Sequence, residues 1–163
     1  MTASTAAATA AFVEQFAVIM EAEGTPRVCG RLFALLLISD EALSLDEIAE
    51  QLELSKASVS INARTLEDRG KIERVTRAGD RRDYYQIGED IIERGMEDRM
   101  TRVRRIQQVI ATARTERAFK DGVVAKRLEL VDAAHQHILE ANQRALDAWR
   151  AKRHKTTPSN KSR

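Results

Sequence analysis

Residues 44–87 read SLDEIAEQLELSKASVSINARTLEDRGKIERVTRAGDRRDYYQI, and the punctuation of this stretch decides the fold. Ser44 with Glu47 three residues later makes a capping box. The serine oxygen accepts one orphan backbone N–H and the glutamate reaches back to another, so a helix starts here. Ile48, Ala49 and Leu52 follow as its apolar stripe. Residues 52–54 make a tight turn, and Ser55 caps a second helix, with Ser58 at the third position a weaker partner than glutamate. Gly70 stops that helix, because glycine accepts the left-handed conformation a helix C-cap commonly needs. Beyond it, residues 72–76 and 83–87 are short and rich in β-branched and aromatic residues. Ala78, Gly79 and Asp80 between them are turn chemistry, so two strands form a hairpin.

The faces of the second helix follow from a step of about 100° per residue. With Val59 as origin, Ala63 and Leu66 fall on its side and face the core, so Ala57, Ile61 and Arg64 face outward, flanked by Ser58, Ser60 and Thr65. Asn62 lies on the flank of the apolar stripe, where it either braces the neighbouring helix or reaches outward. A small, polar face with one cation and one bare isoleucine fits a DNA major groove: Ile61 can meet a thymine methyl, and Arg64 a guanine or a phosphate. The hairpin tip presents Arg77, Arg81 and Arg82 together, which suits a minor groove or the phosphates beside it.

Charge is partitioned along the chain to match. Residues 55–87 hold eight Lys/Arg against five Asp/Glu, whereas residues 38–54 hold six acids and no base. An electrostatic footprint concentrates positive charge on the element that meets phosphate, and a merely solvated surface mixes signs more evenly. The pattern is a winged helix-turn-helix, and its expected partner is double-stranded DNA. Ser55 and Lys56 are expected to hold phosphate, Ser58, Ser60, Ile61, Asn62 and Arg64 to lie along the base edges, and Arg77, Arg81 and Arg82 to supply the wing. Short helix pairs also serve as protein contact modules, so a helical adaptor that uses its winged helix to bind protein is the alternative.

Outward from this stretch the chain is helical. The 163 residues are 43% hydrophobic, 32% charged and 4% aromatic, a composition of helical globular proteins, and the net charge of +2 makes DNA binding a matter of local charge. Residues 9–23 carry Phe12, Phe16, Ile19 and Met20 at helical spacing. After Gly24, Thr25 and Pro26 open a further helix as cap and first helical residue, and that helix is apolar on nearly all sides from Val28 to Ile38, which marks it as central. Gly30 within it costs about 1 kcal/mol of helix propensity, which suggests close approach by another backbone or a ligand. Past the wing, one long helix spans 88–117 with Ile91, Ile92, Met96, Val103, Ile106 and Ile110 as its stripe. Another spans 119–149 with Val124, Leu128, Val131, Ile138, Leu139 and Leu146. These faces exceed what a winged helix of about 60 residues covers, and a homodimer is the natural way to bury them.

Enzyme chemistry finds no support. His135 and His137 face apart on a helix, Asp132 with His135 and His137 with Glu140 are isolated pairs, and there is no glycine-rich phosphate loop or nucleophile elbow, so no catalytic residue, metal or cofactor is expected. A single cysteine, Cys29, excludes an intramolecular disulfide and fits a reducing compartment. No apolar run is long enough for a signal or a membrane span, so a cytoplasmic location is expected. The expected architecture is mostly α with a small two-stranded β wing. It comprises a disordered start at 1–8, an N-terminal dimerisation helix at 9–24, a winged helix-turn-helix at 25–87, C-terminal dimerisation helices at 88–149 and a disordered basic tail at 150–163.

The stretch from Gly24 to Arg27, Gly30-Arg31, residues 45–50, residues 55–60 and above all the Gly79 to Tyr85 wing closely resemble the GbsR/MarR-type regulators of transcription, in particular the GbsR/OpcR-like branch. The resemblance covers about residues 10–90. It implies a homodimer, usually a repressor, that presents two winged helices and often releases DNA when a small molecule binds between dimer and DNA-binding parts. Carried over, residues 55–64 would be the recognition helix, and Arg81 would enter the minor groove with Asp80 or Asp83 orienting it. The effector is left unidentified: a choline or betaine site calls for an aromatic cage, and only Phe12, Phe16, Phe33, Phe119 and Trp149 lie outside the wing.

Overall fold

The computed structural model describes residues 3–156 and divides the chain into two compact units, Met1–Ile91 and Ile92–Arg163. In the first unit, α1 (Ala3–Ala22) and α2 (Arg27–Leu37) precede the short strand β1 (Leu43–Ser44), then α3 (Leu45–Leu52), α4 (Lys56–Asp68), β2 (Glu73–Val75) and β3 (Tyr84–Gln86). The second holds α5 (Ile91–Thr115, its first residue in the first unit), a 3₁₀ turn at Arg117–Phe119 and α6 (Gly122–Thr156).

The expected punctuation is present atom by atom. The Ser44 oxygen accepts from the Glu47 N–H at 3.3 Å, and the Ser44 N–H and hydroxyl donate to Glu47 Oε2 at 2.7 and 2.6 Å. These bonds hold the Glu47 carboxyl below its usual range, the hydroxyl contributing most. Ser55 caps α4 by accepting from the Ser58 N–H at 3.2 Å. Gly70 at φ +63° ends it, with the Lys71 N–H returning to the Leu66 carbonyl at 2.8 Å. Between α3 and α4 the chain turns through Glu53 in the left-handed region at φ +54°, a conformation that costs a side-chain-bearing residue energy; its N–H lies over the Ala49 and Glu50 carbonyls.

Ile48 and Leu52 of α3, Val59, Ala63 and Leu66 of α4, and Leu32, Leu35 and Leu36 of α2 close the core, with Ile72 and with Tyr85 of β3. The sheet departs from the expected two strands. Order β1-β3-β2 adds a third, because Leu43 and Ser44 pair antiparallel with Tyr85 and Tyr84. Two residues are too few to show a period of two, so the pairing leaves no mark in the sequence.

Helix α1 also differs. It begins at Ala3, so residues 3–8 are helical where a disordered start was expected; an Ala-rich run has the highest intrinsic helix propensity. Its buried line is Val13 and Ala17, and Ile19 is exposed. A Cβ on Gly30 would lie 2.8 Å from the Ala17 Cα, so it is the backbone of α1 that approaches this glycine, and the contact selects alanine opposite it. Phe16 stacks on Phe33 of α2 with ring centroids 5.7 Å apart and meets Phe12 in a tilted contact at 5.6 Å. At the start of α2 it is Pro26, not Thr25, that occupies the cap position, and no side chain caps there.

In the second unit α5 and α6 run antiparallel, tied by Arg150 to Glu97 at 2.5 Å, Arg153 to Glu93 at 2.9 Å and Arg114 to Asp132 at 3.1 Å. Helix α6 continues through residues 150–156, where a disordered tail was expected. Lys and Arg are good helix formers, and cations favour the negative end of a helix dipole. Residues 157–163 lie outside the described residues. Among the described apolar positions of this unit, Met100, Ile110 and Leu146 alone are buried, while Ile106, Val109, Val123, Val124, Leu130, Val131 and Ile138 are exposed.

Candidate nucleic-acid interface

Helix α4 presents the expected outward face. Ala57, Ile61 and Arg64 are exposed, Ile61 by 67%, and Arg64 has no hydrogen bond or ion pair among the described residues. Ser58 and Ser60 flank them, half-buried, and Ser55 is exposed at the helix start with its oxygen used as the cap. Lys56 is exposed too, but its ammonium is paired with Asp46 of α3 at 2.8 Å.

The structure answers the open question at Asn62. Its Nδ2 donates to the Ser58 carbonyl at 2.8 Å, and its Oδ1 accepts from the Cys29 thiol at 3.1 Å. The side chain thus braces α4 against α2. Burial pushes the Cys29 thiol pKa up, so it serves as a neutral donor.

The wing is built differently from its expected form. Arg81 is exposed and without a partner among the described residues, yet the acid expected to orient it holds another arginine. Asp80 accepts from Arg82 Nε at 2.9 Å, Arg82 Nη2 at 2.6 Å and the Arg82 backbone N–H at 2.9 Å, while Asp83 lies near Arg74 at 3.6 Å. A residue two positions after an aspartate in this turn can fold back on it, and the adjacent residue projects away. Hydrogen bonds from Arg82, and then from the Tyr84 hydroxyl, hold the Asp80 carboxyl well below the usual range, and the same pair raises Arg82. Arg77 donates to the Ala42 carbonyl at 2.8 Å and Glu41 at 3.1 Å and lies 4.2 Å over the Tyr84 ring. Tyr84, Glu41 and Ala42 were not among the expected site residues. No local pattern marks Glu41 and Ala42, because their contacts with Arg77 span about 36 positions, whereas the Tyr84 contacts lie within the hairpin itself.

Arg74 of β2 reaches both Glu67 of α4 at 3.3 Å and Asp83, and so links α4 and the hairpin. Between them lies a polar hollow of about 320 Å³ lined by Ser60, Arg64, Glu67, Arg74, Asp83 and Tyr85. A separate cleft of about 320 Å³ opens between α1, α2 and α3, walled by Ala10, Val13, Leu35 and Leu52 with the Glu14–Arg31 pair at its edge.

A helix pair with one outward helix, followed by a β hairpin rich in arginine, defines a winged helix-turn-helix. Residues 23–83 match the model of the MarR family. The chain is 36% identical over 99 residues to the HTH-type transcriptional regulator MmpR5 of Mycobacterium tuberculosis (strain ATCC 25618 / H37Rv), a match covering 60% of each protein. It is 30% identical over 79 residues to YvaV of Bacillus subtilis (strain 168), covering 48% of this chain and 45% of YvaV. The chain thus spans about half the length of the curated relatives it matches. The crystal structure of a transcriptional regulator, 29% identical, superposes with a TM-score of 0.74 over 88% of this chain and 98% of that one. No helix among the described residues is long and apolar enough to cross a membrane.

Proposed function

We propose that the protein is a sequence-specific DNA-binding transcriptional regulator, a homodimeric repressor in the cytoplasm that sets α4 in the major groove and the 76–83 wing in the minor groove. The observation that carries this is the outward face of α4: Ile61 bare and Arg64 unpaired on one side of a helix whose other side is core. A surface with no partner would gain solubility from a charge at position 61; an isoleucine there fits a thymine methyl. The exposed apolar faces of α5 and α6 support a homodimer. The Gly79 to Tyr85 wing supports the GbsR/OpcR-like branch. Response to a small-molecule effector belongs to the same reading, and the cleft beside α1 offers room for one of unspecified chemistry.

Fluorescence anisotropy against the duplex upstream of its own gene and a scrambled duplex, across a salt series, tests it. The expected result is native binding roughly a thousandfold tighter, with log affinity falling steeply with log salt. Absence of binding to any duplex at low salt would overturn it in favour of a protein-binding adaptor.

A further inference from the structure

The packing of α4 on α2 is apolar but for one polar pair. Leu32 and Leu36 of α2 and Val59, Ala63 and Leu66 of α4 belong to the same buried cluster. Among the described residues, the one hydrogen-bonding contact between the two helices joins the Cys29 thiol to Asn62, 3.1 Å from Oδ1 and 3.9 Å from the main-chain carbonyl. Cys29 is wholly buried. The amide cannot be turned over, because Nδ2 donates to the Ser58 carbonyl at 2.8 Å and an oxygen in its place would face that carbonyl. We infer that the Cys29–Asn62 pair is a specificity-determining device: it fixes the roll of α4 about its own axis, and through that roll the placement of Ile61 and Arg64 on base edges. This rests on the DNA-binding reading above.

Apolar contact alone sets such a roll loosely. Burial depends on the area removed from water and has no direction, so leucine, valine and alanine faces tolerate small rotations against one another. A hydrogen bond weakens steeply with angle and distance, and a single polar group in an apolar interface is the best-attested means of fixing register. Side chains reach about 5–6 Å from a helix axis, so a roll of about 10° carries their tips about 1 Å sideways. That is enough to spoil a bidentate pair or a methyl contact. Asn62 lies between the core face of α4 and its outward face, next to Ile61, so the pair acts at the turn that carries the exposed side chains. The other side of the pair is firm. Gly30, adjacent to Cys29, takes the α1 backbone so closely that a Cβ would lie 2.8 Å from the Ala17 Cα, and Arg31 Nη2 donates to the Leu52 carbonyl of α3 at 3.0 Å. Helix α2 is thus tied to α1 and α3 within two residues of the thiol, and α4 takes its orientation from there.

The test turns on the burial of Cys29, which keeps it from touching DNA. Wild type and variants are titrated with the native duplex and with duplexes changed at single base pairs, with circular dichroism and melting to show that each protein is folded. If wild type binds no duplex, the regulator reading falls and this one with it. A merely structural loss weakens binding to every duplex alike, so the readout is the ratio of affinities. Cys29→Ala removes the donor and is expected to shrink the penalty for changed base pairs beneath α4 about fivefold, the size of one net hydrogen bond, with the salt slope unchanged because no charge is lost. Should Cys29→Ala not fold, Cys29→Val, which refills the space and also lacks a donor, takes its place. Asn62→Ala is expected to blunt discrimination at the same base pairs, and the double variant to be no worse than either single one, since all three lack the same bond. Cys29→Ser keeps a donor and is expected to retain the wild-type preference. A folded Cys29→Ala or Cys29→Val protein with wild-type base preference would overturn the inference while leaving the regulator reading intact. So would additive losses in the double variant, which would make Asn62 a base reader, or a Cys29→Ser protein as impaired as Cys29→Ala.

Discussion

The two units of the chain solve the burial problem in opposite ways. The first packs residues from four helices and a strand into one closed core, in which Leu32, Ile48, Val59 and Ala63 are fully buried. The second has two long helices with, among the described residues, three buried hydrophobics between them, while Val109, Val123 and Leu130 are 63–71% exposed. Large exposed apolar faces on soluble proteins commonly mark surfaces that meet a partner. The contrast predicts that stability in the first unit is a property of one copy, whereas in the second, if the proposed homodimer forms, it draws on a surface that another copy supplies.

The largest effect that would break this contrast is in the closed core. Ile48→Ala removes a fully buried side chain from the contact of α3 with α2 and α4, and is expected to cost about 2–5 kcal/mol. Chemical denaturation should show that loss at every protein concentration. A loss that faded as the protein was concentrated would place the core's stability in the assembly instead.

Leu130→Asp is expected to behave the other way. The side chain is 71% exposed, so the folded single copy loses little, but burial of a leucine against a partner is worth about 1.5–3 kcal/mol, and a charge there adds a desolvation cost. Sedimentation equilibrium should show dissociation raised at least about tenfold. An unchanged association constant would mean that this face of α6 is not the one that pairs.

How much of this was legible in the sequence follows the range of the interaction. The capping box, the Ser55 cap, the Gly70 stop and the inward and outward faces of α4 are set by residues within one or two helical turns, and all were readable. The strand β1, the bracing role of Asn62 and the hold of Glu41 on Arg77 join residues far apart, and no local pattern announces them. Asp80 is the instructive intermediate: its importance to the wing was readable, but which arginine it holds is decided by how the turn folds back, with Arg82 brought onto the carboxylate and Arg81 carried away. The apolar stripes of α5 and α6 were readable as stripes, and their burial was not, because burial belongs to whatever faces them.

The smallest expected effect sharpens the contrast from within the first unit, where the helices carry their own local support. Ser44→Ala removes both halves of the hydroxyl's work: the acceptor for the Glu47 N–H and the donor to Glu47 Oε2. The loss should be about 1 kcal/mol at neutral pH. Its pH dependence follows from the lowered Glu47 pKa, set first by that hydroxyl and then by the Ser44 backbone N–H. A carboxyl whose folded pKa lies below its unfolded value adds stability above the unfolded value, and that stability is lost as pH falls through the folded one. In the variant the depression is smaller, since the backbone bond and the nearby Arg82 and Arg77 charges remain while the hydroxyl is gone. The difference between wild type and Ser44→Ala should therefore be largest above the ordinary glutamate range and narrow as pH drops below it. It should level off above zero, because the Glu47 N–H still lacks its acceptor at any pH. Urea melts of both proteins from neutral to acid pH measure this directly, and a gap independent of pH would assign the whole effect to the neutral N–H bond.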